Sequence, residues 1–398
     1  MKEWQYYKLD ELGTVRRGRS RHRPRNAPHL YGGKYPFVQT ADIKAANLYL
    51  TSYTQTYSEA GLAQSKLWEP GTLCITIAAN IADTAILGIP ACFPDSVIGF
   101  IPYEGKSDAR YIKYCFNIFQ KTFQQISQGA TQDNLSAEKL LSMKIPVPPL
   151  PIQQKIAGIL SAYDDLIENN LKRIKLLEEM AQIIYEEWFV RMRFPSYESA
   201  SVNPETGLPE GWSVTNINDL YRIKYGRNLP QTAICEFGKF PVYGASGVMG
   251  YYHKCNADKK IALITSRGNG SADVHRTYEP AFITNNSFLV IPNQDYYYLS
   301  LAFTLNLLKL AGLKNYCSGA AQPQLTNDAI KGLCVKLPGK ELVEKFNKAT
   351  MPSLEISDNL RTQNQRLSEA RDILLPRLMT GMIDVDQYDP SELLKYVA

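Results

Sequence analysis

An internal repeat constrains the fold of this 398-residue chain more than any single motif does. The phrase "QGATQDNLS" at residues 128–136 returns as "SGAAQPQLT" at 318–326, with glycine, alanine, glutamine and leucine in matching places. The same sequence shift, of 190, aligns positions 91–148 with 281–338 without a gap. A match of this length predicts that one domain occurs twice in tandem.

The N-terminal edges of the two copies also match, but at a different shift. The stretch "WQYYKLDELGTVRRGR" (4–19) pairs with "WSVTNINDLYRIKYGR" (212–227) at a shift of 208. The first copy therefore carries about 18 additional residues between positions 19 and 91. The arginine-rich stretch "RSRHRPRN" (19–26) is a candidate for part of this insertion.

The composition excludes several classes of protein. Hydrophobic residues make up 44% of the chain and charged residues 21%, which is typical of a globular protein rather than a disordered one. No apolar run reaches the ~18 residues of a membrane helix, and the polar N-terminal stretch does not resemble a secretory signal. The seven cysteines form no Cys-x-x-Cys pair and the four histidines no i,i+4 pair. We therefore expect reduced thiols, no metal site, no membrane contact and a cytoplasmic location.

The distribution of charge is more informative than the net charge of +5. Residues 1–149 and 196–340 are both basic, whereas residues 150–195 and 341–398 are slightly acidic. A basic surface attracts polyanions, because it releases their condensed counterions. Each copy of the repeat is therefore a candidate nucleic-acid-binding domain.

A long helical pattern with coiled-coil spacing follows each copy. The seam predicted for the first helix consists of Ile152, Ile156, Ile159, Tyr163, Leu166, Asn170, Ile174, Leu177, Ala181, Ile184 and Trp188. The weaker seam of the second consists of Leu342, Phe346, Ala349, Ser353, Ile356, Leu360, Gln363, Leu367, Ala370 and Leu374. Pro352 predicts a kink or a restart of the second helix, and Gly381 predicts its end.

Such a helix could pack along its own domain, but its length favours another arrangement. About 37 residues at a rise of roughly 1.5 Å span about 55 Å, whereas a domain of this size has a radius of gyration near 15 Å. We therefore expect the two helices to pair in antiparallel fashion, with Asn170 and Gln363 fixing the register. The expected fold class is α+β, with two tandem globular α/β domains separated by two long helices in a pseudo-two-fold antiparallel coiled coil.

At this point the sequence resembles a known family, the specificity subunits of type I restriction-modification systems. The resemblance covers nearly the whole chain. It rests on "GLPEGW" (207–212), "YGGKYPFVQTADI" (31–43), the two closing phrases, "PLPIQQKIAGIL" with "LIENNLKRIKLLEEMAQIIYEEWF" (149–189), and "RDILLPRLMTGMIDV" (371–385).

The resemblance implies a division of the chain and a set of partners. Residues 1–149 and 194–339 would be target-recognition domains, 150–193 and 340–385 the long helices, and 386–398 a C-terminal tail. Each domain would read one half of a bipartite site on double-stranded DNA without catalysing a reaction. The chain would hold two methyltransferase subunits and, through them, restriction subunits. S-adenosylmethionine, Mg²⁺ and ATP would bind to those partners, and this chain would bind no cofactor.

Arginine, lysine and short polar side chains are the residues that contact phosphates and base edges. Six arginines lie in "RRGRSRHRPR" (16–25), which is either a mobile loop or a basic arm that becomes ordered on DNA. The candidate DNA-binding residues are Arg16, Arg19, Arg21, Arg23, Arg25, Lys34, Gln39, Thr40, Gln132, Lys224, Arg227, Asn228, Arg267, Asn269 and Gln322, with Ser271 as a further polar reader.

The closing phrases allow two interpretations of equal weight. Their glycine and short polar residues suit a loop that faces a phosphate or a base edge, where glutamine can read adenine. They equally suit a structural turn that leads into the last strand of each copy. The stretch "SRGNGSAD" (266–273) lacks the lysine and the spacing of a nucleotide-binding loop, so we do not expect it to bind nucleotides.

Two further functions compete with DNA recognition. Asp95, Glu104 and Lys106 resemble a metal-dependent nuclease site, although the aligned second copy has other residues there. Cleavage that requires Mg²⁺ and is lost in Asp95→Ala would support that alternative. A scaffold without DNA affinity would show no salt-dependent binding of DNA.

Overall fold

The computed structural model describes residues 4–22, 24–78, 81–128, 137–245, 247–319 and 322–385. The chain divides into two compact units. Unit 1 consists of residues 1–171 and 361–398, and unit 2 of residues 172–360. Each unit contains one copy of the repeat, called a head below, and a part of each of two long helices.

The first head and the helix that follows it contain nine strands and six α-helices among the described residues. The strands are β1 (Gln5–Lys8), β2 (Gly13–Arg17), β3 (Tyr31–Phe37), β4 (Tyr49–Leu50), β5 (Gln55–Tyr57), β6 (Leu73–Thr76), β7 (Thr84–Leu87), β8 (Val97–Pro102) and β9 (Lys144–Val147). The helices are α1 (Leu9–Leu12), α2 (Thr40–Ala45), α3 (Glu59–Ala63), α4 (Ala109–Gln128), α5 (Ala137–Ser142) and the long α6 (Leu150–Tyr185).

A five-stranded sheet in the order β2-β8-β6-β7-β4 forms the centre of the first head. Every residue of β6 and β7 is buried, and these strands consist of apolar residues and threonine, which favour strands covered on both faces. Helix α4 packs against the sheet, and its Tyr111, Tyr114 and Phe116 belong to the same core. Two smaller sheets, β1-β9 and β3-β5, complete the head.

The second head and the helix that follows it contain nine strands and four α-helices in the described part. The strands are β10 (Ser213–Asn216), β11 (Tyr221–Tyr225), β12 (Phe240–Gly244), β13 (Gly247–Tyr252), β14 (Ala262–Thr265), β15 (Val274–Arg276), β16 (Phe282–Ile283), β17 (Ser287–Pro292) and β18 (Cys334–Leu337). The helices are α7 (Ile217–Leu220), α8 (Leu301–Leu310), α9 (Asn327–Ile330) and the long α10 (Lys340–Met379).

The second head has the topology of the first. Its main sheet, in the order β11-β17-β14-β15, matches β2-β8-β6-β7, and β10 pairs with β18 as β1 pairs with β9. The registers are also equivalent. Gln5 is opposite Val147 and Ser213 is opposite Leu337, which are the same positions at the shifts of 208 and 190. The tandem repeat that the sequence predicts is therefore confirmed residue by residue.

The insertion of the first copy lies mainly after β3. A parallel bridge joins Phe37 to Cys92 in the first head, and the equivalent bridge joins Val242 to Phe282. The sequence numbers of the bridged residues differ by 55 in the first head and by 40 in the second. Fifteen of the additional residues therefore lie within the stretch that contains α2 and β4. Only three additional residues precede Phe37, so the arginine-rich stretch accounts for at most a small part of the insertion.

The two long helices are continuous over most of the predicted lengths. Helix α6 runs through 36 residues and passes into a π-helical turn at Glu186–Val190, and α10 runs through 40 residues. Helix α10 continues through Pro352, so the predicted restart does not occur. Pro352 is exposed, so water can bind the carbonyl group that the missing N–H leaves free. Gly381, at φ +69°, follows the end of α10, and Met382 N–H donates to the Arg377 carbonyl oxygen, as the sequence predicts.

Within unit 1, the parts of α6 and α10 that belong to it run antiparallel. Arg371 forms an ion pair with Asp164, and six residues further along α6 Asn170 contacts Asn364, which lies seven residues earlier on α10. The amide of Asn170 donates to Oδ1 of Asn364 at 2.9 Å. Gln363, the other residue predicted to fix the register, is exposed instead.

The observed seam of α10 agrees with the predicted one at alternate positions and differs from it by one residue at the positions between them. Its buried residues are Val343, Phe346, Thr350, Ser353, Ser357, Leu360, Asn364 and Leu367. The spacing predicts Ala349 and Ile356 in the seam because they are apolar, yet both are exposed, and the polar residues next to them are buried. Small polar side chains can be buried when they form hydrogen bonds to the helix backbone or to a partner, and the spacing of apolar residues does not predict them.

A buried polar junction joins the first head to both helices within unit 1. The Asp164 side chain, 1% exposed, accepts hydrogen bonds from Tyr114 of α4 and from Arg371 of α10. Asn47 of the insertion donates to the Asp164 carbonyl oxygen and accepts from Arg371. Lys113 is buried beside this group, and burial lowers its pKa to about 8.

Unit 2 contains a corresponding junction built from other residues. Arg276 of β15, with its side chain 3% exposed, lies 2.8 Å from Asp358 of α10 and 3.9 Å from Glu178 of α6. Lys260 also binds Asp358. The aromatic rings of Tyr185, Phe303 and Phe346 meet edge to face in the core of the same unit, so each head shares its core with the helices of its unit.

We predict that Arg371→Met destabilises unit 1 by about 3 kcal/mol, because it leaves the buried carboxylate of Asp164 without its cationic partner. Urea unfolding of the full chain measures the loss. Arg366→Met is the matched control, since Arg366 is exposed on the same helix and its loss should change stability by less than about 0.5 kcal/mol. Equal losses in the two variants would contradict the role of the ion pair.

Candidate nucleic-acid interface

A glycine followed by an arginine occupies the same place in both heads. After β2, Gly18 N–H donates to the Val97 carbonyl oxygen and Arg19 N–H to that of Phe93. After β11, Gly226 N–H donates to Ser287 and Arg227 N–H to Ile283. The acceptors in the two heads are equivalent positions at the repeat shift of 190, so this part of the backbone is the same in the two copies.

The close approach of two backbone segments explains the glycine. A β-carbon at position 18 would lie 2.3 Å from the carbonyl oxygen of Pro94, and one at position 226 would lie 2.1 Å from that of Thr284. Both distances are far below van der Waals contact, so only glycine fits here without a shift of the chain. The backbone therefore holds the arginine that follows, and both Arg19 and Arg227 expose their side chains.

The arginine-rich stretch of the first head is fastened to the domain at several points. The backbone N–H groups of Arg21 and His22 both donate to Gln64, and Ser65 donates to the Arg19 carbonyl oxygen. Arg25 binds Asp95 through both carboxylate oxygens at 2.9 Å. The described residues of this stretch therefore form a packed loop and not a free arm.

A further basic residue joins this loop. The Lys66 ammonium group lies 3.8 Å from the centroid of the Trp68 ring. Its pKa is lowered, first by burial and then by the positive charges of Arg16 and Arg19. Arg16, Arg19 and Lys66 thus form one positively charged surface, which we call the first basic cluster. Lys66 is far from the two arginines in sequence, so only the fold reveals it.

In the second head, two candidate loops are hydrogen-bonded to each other. Leu325 N–H donates to the Ser266 carbonyl oxygen at 2.9 Å and Gly268 N–H to that of Pro323 at 3.1 Å. The fold thereby brings Arg267 and Asn269 beside the closing phrase with its exposed Gln322. The Ser266 N–H donates in turn to the Asn286 carbonyl oxygen, and Gly226 N–H donates to that of the next residue, Ser287. We call Arg227, Asn228, Arg267, Asn269 and Gln322 the second-head cluster.

The structure also shows which residues of these loops support the backbone. Leu325 is fully buried, and the hydroxyl of Thr326 accepts from Ala329 N–H at the start of α9. This part of the closing phrase is a structural turn that leads toward β18, while Gln322 remains exposed. Ser271 is buried and donates to the Ser266 carbonyl oxygen, so the prediction that it reads bases is wrong.

The two heads hold their loops on the same frame. Ala82 and Ala272, both at positive φ, donate from N–H to the carbonyl oxygens of Thr76 and Thr265 respectively. The left-handed region is uncommon for a residue with a β-carbon, so its recurrence marks a loop shape that the surrounding contacts impose. The frame is therefore retained, whereas the loop sequences between these points differ.

The remaining candidates lie apart from the two clusters or outside the described residues. Lys34 binds Glu59 at 3.1 Å, and this partner raises the pKa of Lys34. Gln39 precedes α2 and donates to Gln55, with Thr40 as the first residue of the helix. Lys224 is exposed on β11. The others lie outside the described part of the chain: Arg23, Gln132 with the rest of the first closing phrase from 129 to 136, and the predicted tail 386–398.

The second head has an exposed apolar hairpin that the sequence does not predict. Val248 and Met249 on β13 are 53% and 51% exposed, and Phe237 on the segment that pairs with this strand is 81% exposed. The turn before β13 follows Gly244, whose carbonyl oxygen accepts from Ser287. The only signal in the sequence is an apolar pair inside a glycine-rich hairpin, and buried strands share that signal.

The geometry excludes the nuclease site proposed from the sequence. Asp95 precedes β8 and Glu104 follows it, so the two carboxylates lie at opposite ends of a six-residue strand, about 20 Å apart. Asp95 is also bound to Arg25. Among residues 4–385, where described, no group of three or more His, Cys, Asp or Glu side chains is placed to hold a metal ion.

Comparison with known proteins decides the family. The family model described as "Type I restriction modification DNA specificity domain" matches residues 1–179 and again 209–359. The chain belongs to the type I restriction-modification specificity subunits. It is similar to the type I restriction enzyme MjaIX specificity subunit of Methanocaldococcus jannaschii, with 25% identity over 97% of this chain and 95% of that protein. The Escherichia coli EcoprrI specificity subunit is 22% identical over 82% and 83%.

A solved structure supports the same fold. The type I restriction-modification S subunit from M. genitalium superimposes with a TM-score of 0.57 at 18% identity, covering 94% of this chain and 96% of that one. The predicted fold class is confirmed by this match and by the two family domains in tandem. Specificity subunits are non-catalytic DNA-recognition subunits that work with other subunits, which hold the enzymatic activities. No helix in the described part is long and apolar enough to span a membrane.

We predict that Gly226→Ala destabilises unit 2 by about 3 kcal/mol, because the new β-carbon collides with the Thr284 carbonyl group. Gly18→Ala should act in the same way on unit 1. Gly158→Ala is the control, since nothing lies within 4 Å of its β-carbon position, and it should stabilise α6 by about 0.5–1 kcal/mol. Thermal unfolding that shows equal effects at positions 226 and 158 would contradict the close approach.

Proposed function

We propose that each head of this specificity subunit reads one part of a bipartite site on double-stranded DNA. The chain holds two methyltransferase subunits and, through them, the restriction subunits, all acting in the cytoplasm. S-adenosylmethionine, Mg²⁺ and ATP bind to those partners and none binds to this chain. The observation that carries the proposal is the repeated frame, which presents Arg19 and Arg227 at equivalent points beside loops of different sequence.

The frame and the loops suit different kinds of DNA contact. A residue that is the same in both heads suits a contact that does not depend on base sequence. Every DNA site offers such a contact in its phosphate backbone. Loops that differ between the heads suit the reading of two different base sequences. We therefore assign Arg19 and Arg227 to phosphates, and Arg267, Asn269 and Gln322 to base edges.

The charge around each site supports this assignment. The first basic cluster gathers Arg16, Arg19 and Lys66, and the repulsion among them falls when an anion binds between them. In the second head, the exposed Arg227 and Arg267 lie on backbone segments that are both hydrogen-bonded to the 283–287 stretch.

We predict that DNA from cells expressing this chain with its methyltransferase partner carries methylated adenines in a site of two parts with a fixed spacer. Sequencing that detects modified bases measures this directly. DNA from cells with the methyltransferase alone is the control. A single continuous methylated motif would contradict reading by two heads.

We predict that Arg227→Ala weakens DNA binding equally for all sequences and reduces the salt dependence by about one counterion. Arg267→Ala should instead relax recognition in one half of the site, at a cost of about 1–3 kcal/mol against the correct base. Fluorescence anisotropy of the complex with its methyltransferase partner measures both. Lys348→Ala, an exposed lysine of α10, is the control for the salt slope.

The assignment would be wrong if Arg227→Ala changed the methylated sequence, or if Arg267→Ala weakened all sites to the same extent. The scaffold alternative predicts something else. Neither variant would then alter the salt dependence of DNA binding by the complex.

A further inference from the structure

The asparagine pair between the long helices is buried and specific. Asn170 is 7% exposed and Asn364 is 9% exposed. The amide of Asn170 donates to the side-chain oxygen of Asn364, whose own amide donates to the Ile167 carbonyl oxygen at 3.2 Å. A buried amide is tolerated when it is paired in this way and is costly when it faces an apolar residue.

The two long helices present the same seam. The buried residues Ile156, Leu160, Tyr163, Ile167, Asn170, Ile174 and Tyr185 of α6 recur at the repeat shift of 190 as buried Phe346, Thr350, Ser353, Ser357, Leu360, Asn364 and Leu375 of α10. An α6 helix therefore has the spacing needed to pack against another α6 helix, and an α10 helix against another α10 helix. A second copy of this chain is thus a potential competitor for each seam.

At the positions equivalent to the two asparagines, the other helix has aliphatic residues. Asn170 occupies the place that Leu360 holds in α10, and Asn364 occupies the place that Ile174 holds in α6. An antiparallel α6–α6 pair in the observed register would therefore bring Asn170 against Ile174. An α10–α10 pair would likewise bring Asn364 against Leu360.

We infer that Asn170 and Asn364 make α6 select an α10 helix as its partner and prevent a second copy of the chain from associating through like helices. Each like-with-like helix pair would bury two amides against aliphatic side chains. An unpaired buried amide lowers a pairing equilibrium by about tenfold to a hundredfold. Of the three possible helix pairings, α6 with α10 is the one that hydrogen-bonds both asparagine amides. The asparagine pair therefore determines which helix α6 selects as its partner.

The composition of α10 makes this selection effective. Three of its seam residues, Thr350, Ser353 and Ser357, are small and polar, so they contribute little apolar area to distinguish one partner from another. Thr350 donates to the Phe346 carbonyl oxygen of its own helix. The asparagine pair and the Asp164–Arg371 ion pair are therefore polar contacts that link α6 and α10 through the side chains of both helices.

The test exchanges two residues and leaves the composition unchanged. In the double variant Ile174→Asn with Asn364→Ile, α6 carries both asparagines, so an α6–α6 pair matches them and the pairing within one chain does not. We expect the ratio of dimer to monomer to rise at least tenfold relative to the unmodified chain. Light scattering after refolding at micromolar concentration measures this ratio. Native mass spectrometry of mixed isotope-labelled and unlabelled full chains identifies the dimers.

A compensated variant distinguishes partner choice from a general loss of stability. Adding Asn170→Leu and Leu360→Asn to the exchange moves the asparagine pair by one layer and restores its match within the chain. This fourfold variant should return to the oligomeric state and melting temperature of the unmodified chain. If the double variant fails to fold, rescue by the fourfold variant still supports the inference. A double variant that stays monomeric and stable, or a fourfold variant that is equally impaired, would overturn it.

Discussion

Packing of the long helices on the cores of the heads is the interaction on which the rest of the structure depends. In unit 1 the apolar residues of α6 and α10 belong to the same core as the five-stranded sheet, and in unit 2 Tyr185 and Phe346 belong to the core of the second head. Buried ion pairs at Asp164 and Arg276 fix the orientation of the helices at these contacts, because each pair joins particular side chains of two elements. A helix so embedded cannot turn about its axis without disturbing the sheet beside it. The frames that present Arg19 and Arg227 are therefore held by the helices as well as by their own strands.

The architecture was largely predictable from the sequence, because a repeated sequence predicts a repeated domain. Two copies with matching ends define equivalent strands, and 36 and 40 residues of helical spacing define the helices. The details of the seam were not predictable, because Asn364 is buried through its hydrogen bonds and Ser357 through its small size, while Ile356 is exposed. The exact position of the insertion within residues 19–91 was not predictable, since the arginine-rich stretch looks unlike its counterpart but is at most three residues longer.

The candidate interface was predictable only in part, for a physical reason. Arg227, Arg267 and Gln322 were identified from residue type, and the hydrogen bonds between their loops then placed them in one region of the second head. Lys66, whose ammonium group lies over the Trp68 ring, joins Arg16 and Arg19 through folding alone; burial and then the charges of these arginines lower its pKa. Ser271 was assigned to the surface from its type, but its hydroxyl supports the loop from within. Proximity across the chain depends on backbone pairing that local patterns do not reveal.

The insertion after β3 has a consequence for engineering. Its Asn47 binds the Asp164 carbonyl oxygen of α6 and lies within hydrogen-bond distance of Arg371 of α10, so a segment peculiar to the first head touches both helices. The second head meets the helices through Arg276 and Lys260 instead. In a chimera that exchanges one head for the other, the contact residues of the head would therefore not match those of the helices. A transferred head should be accompanied by the helix residues that face it, so that the domain keeps its native contacts with the helices.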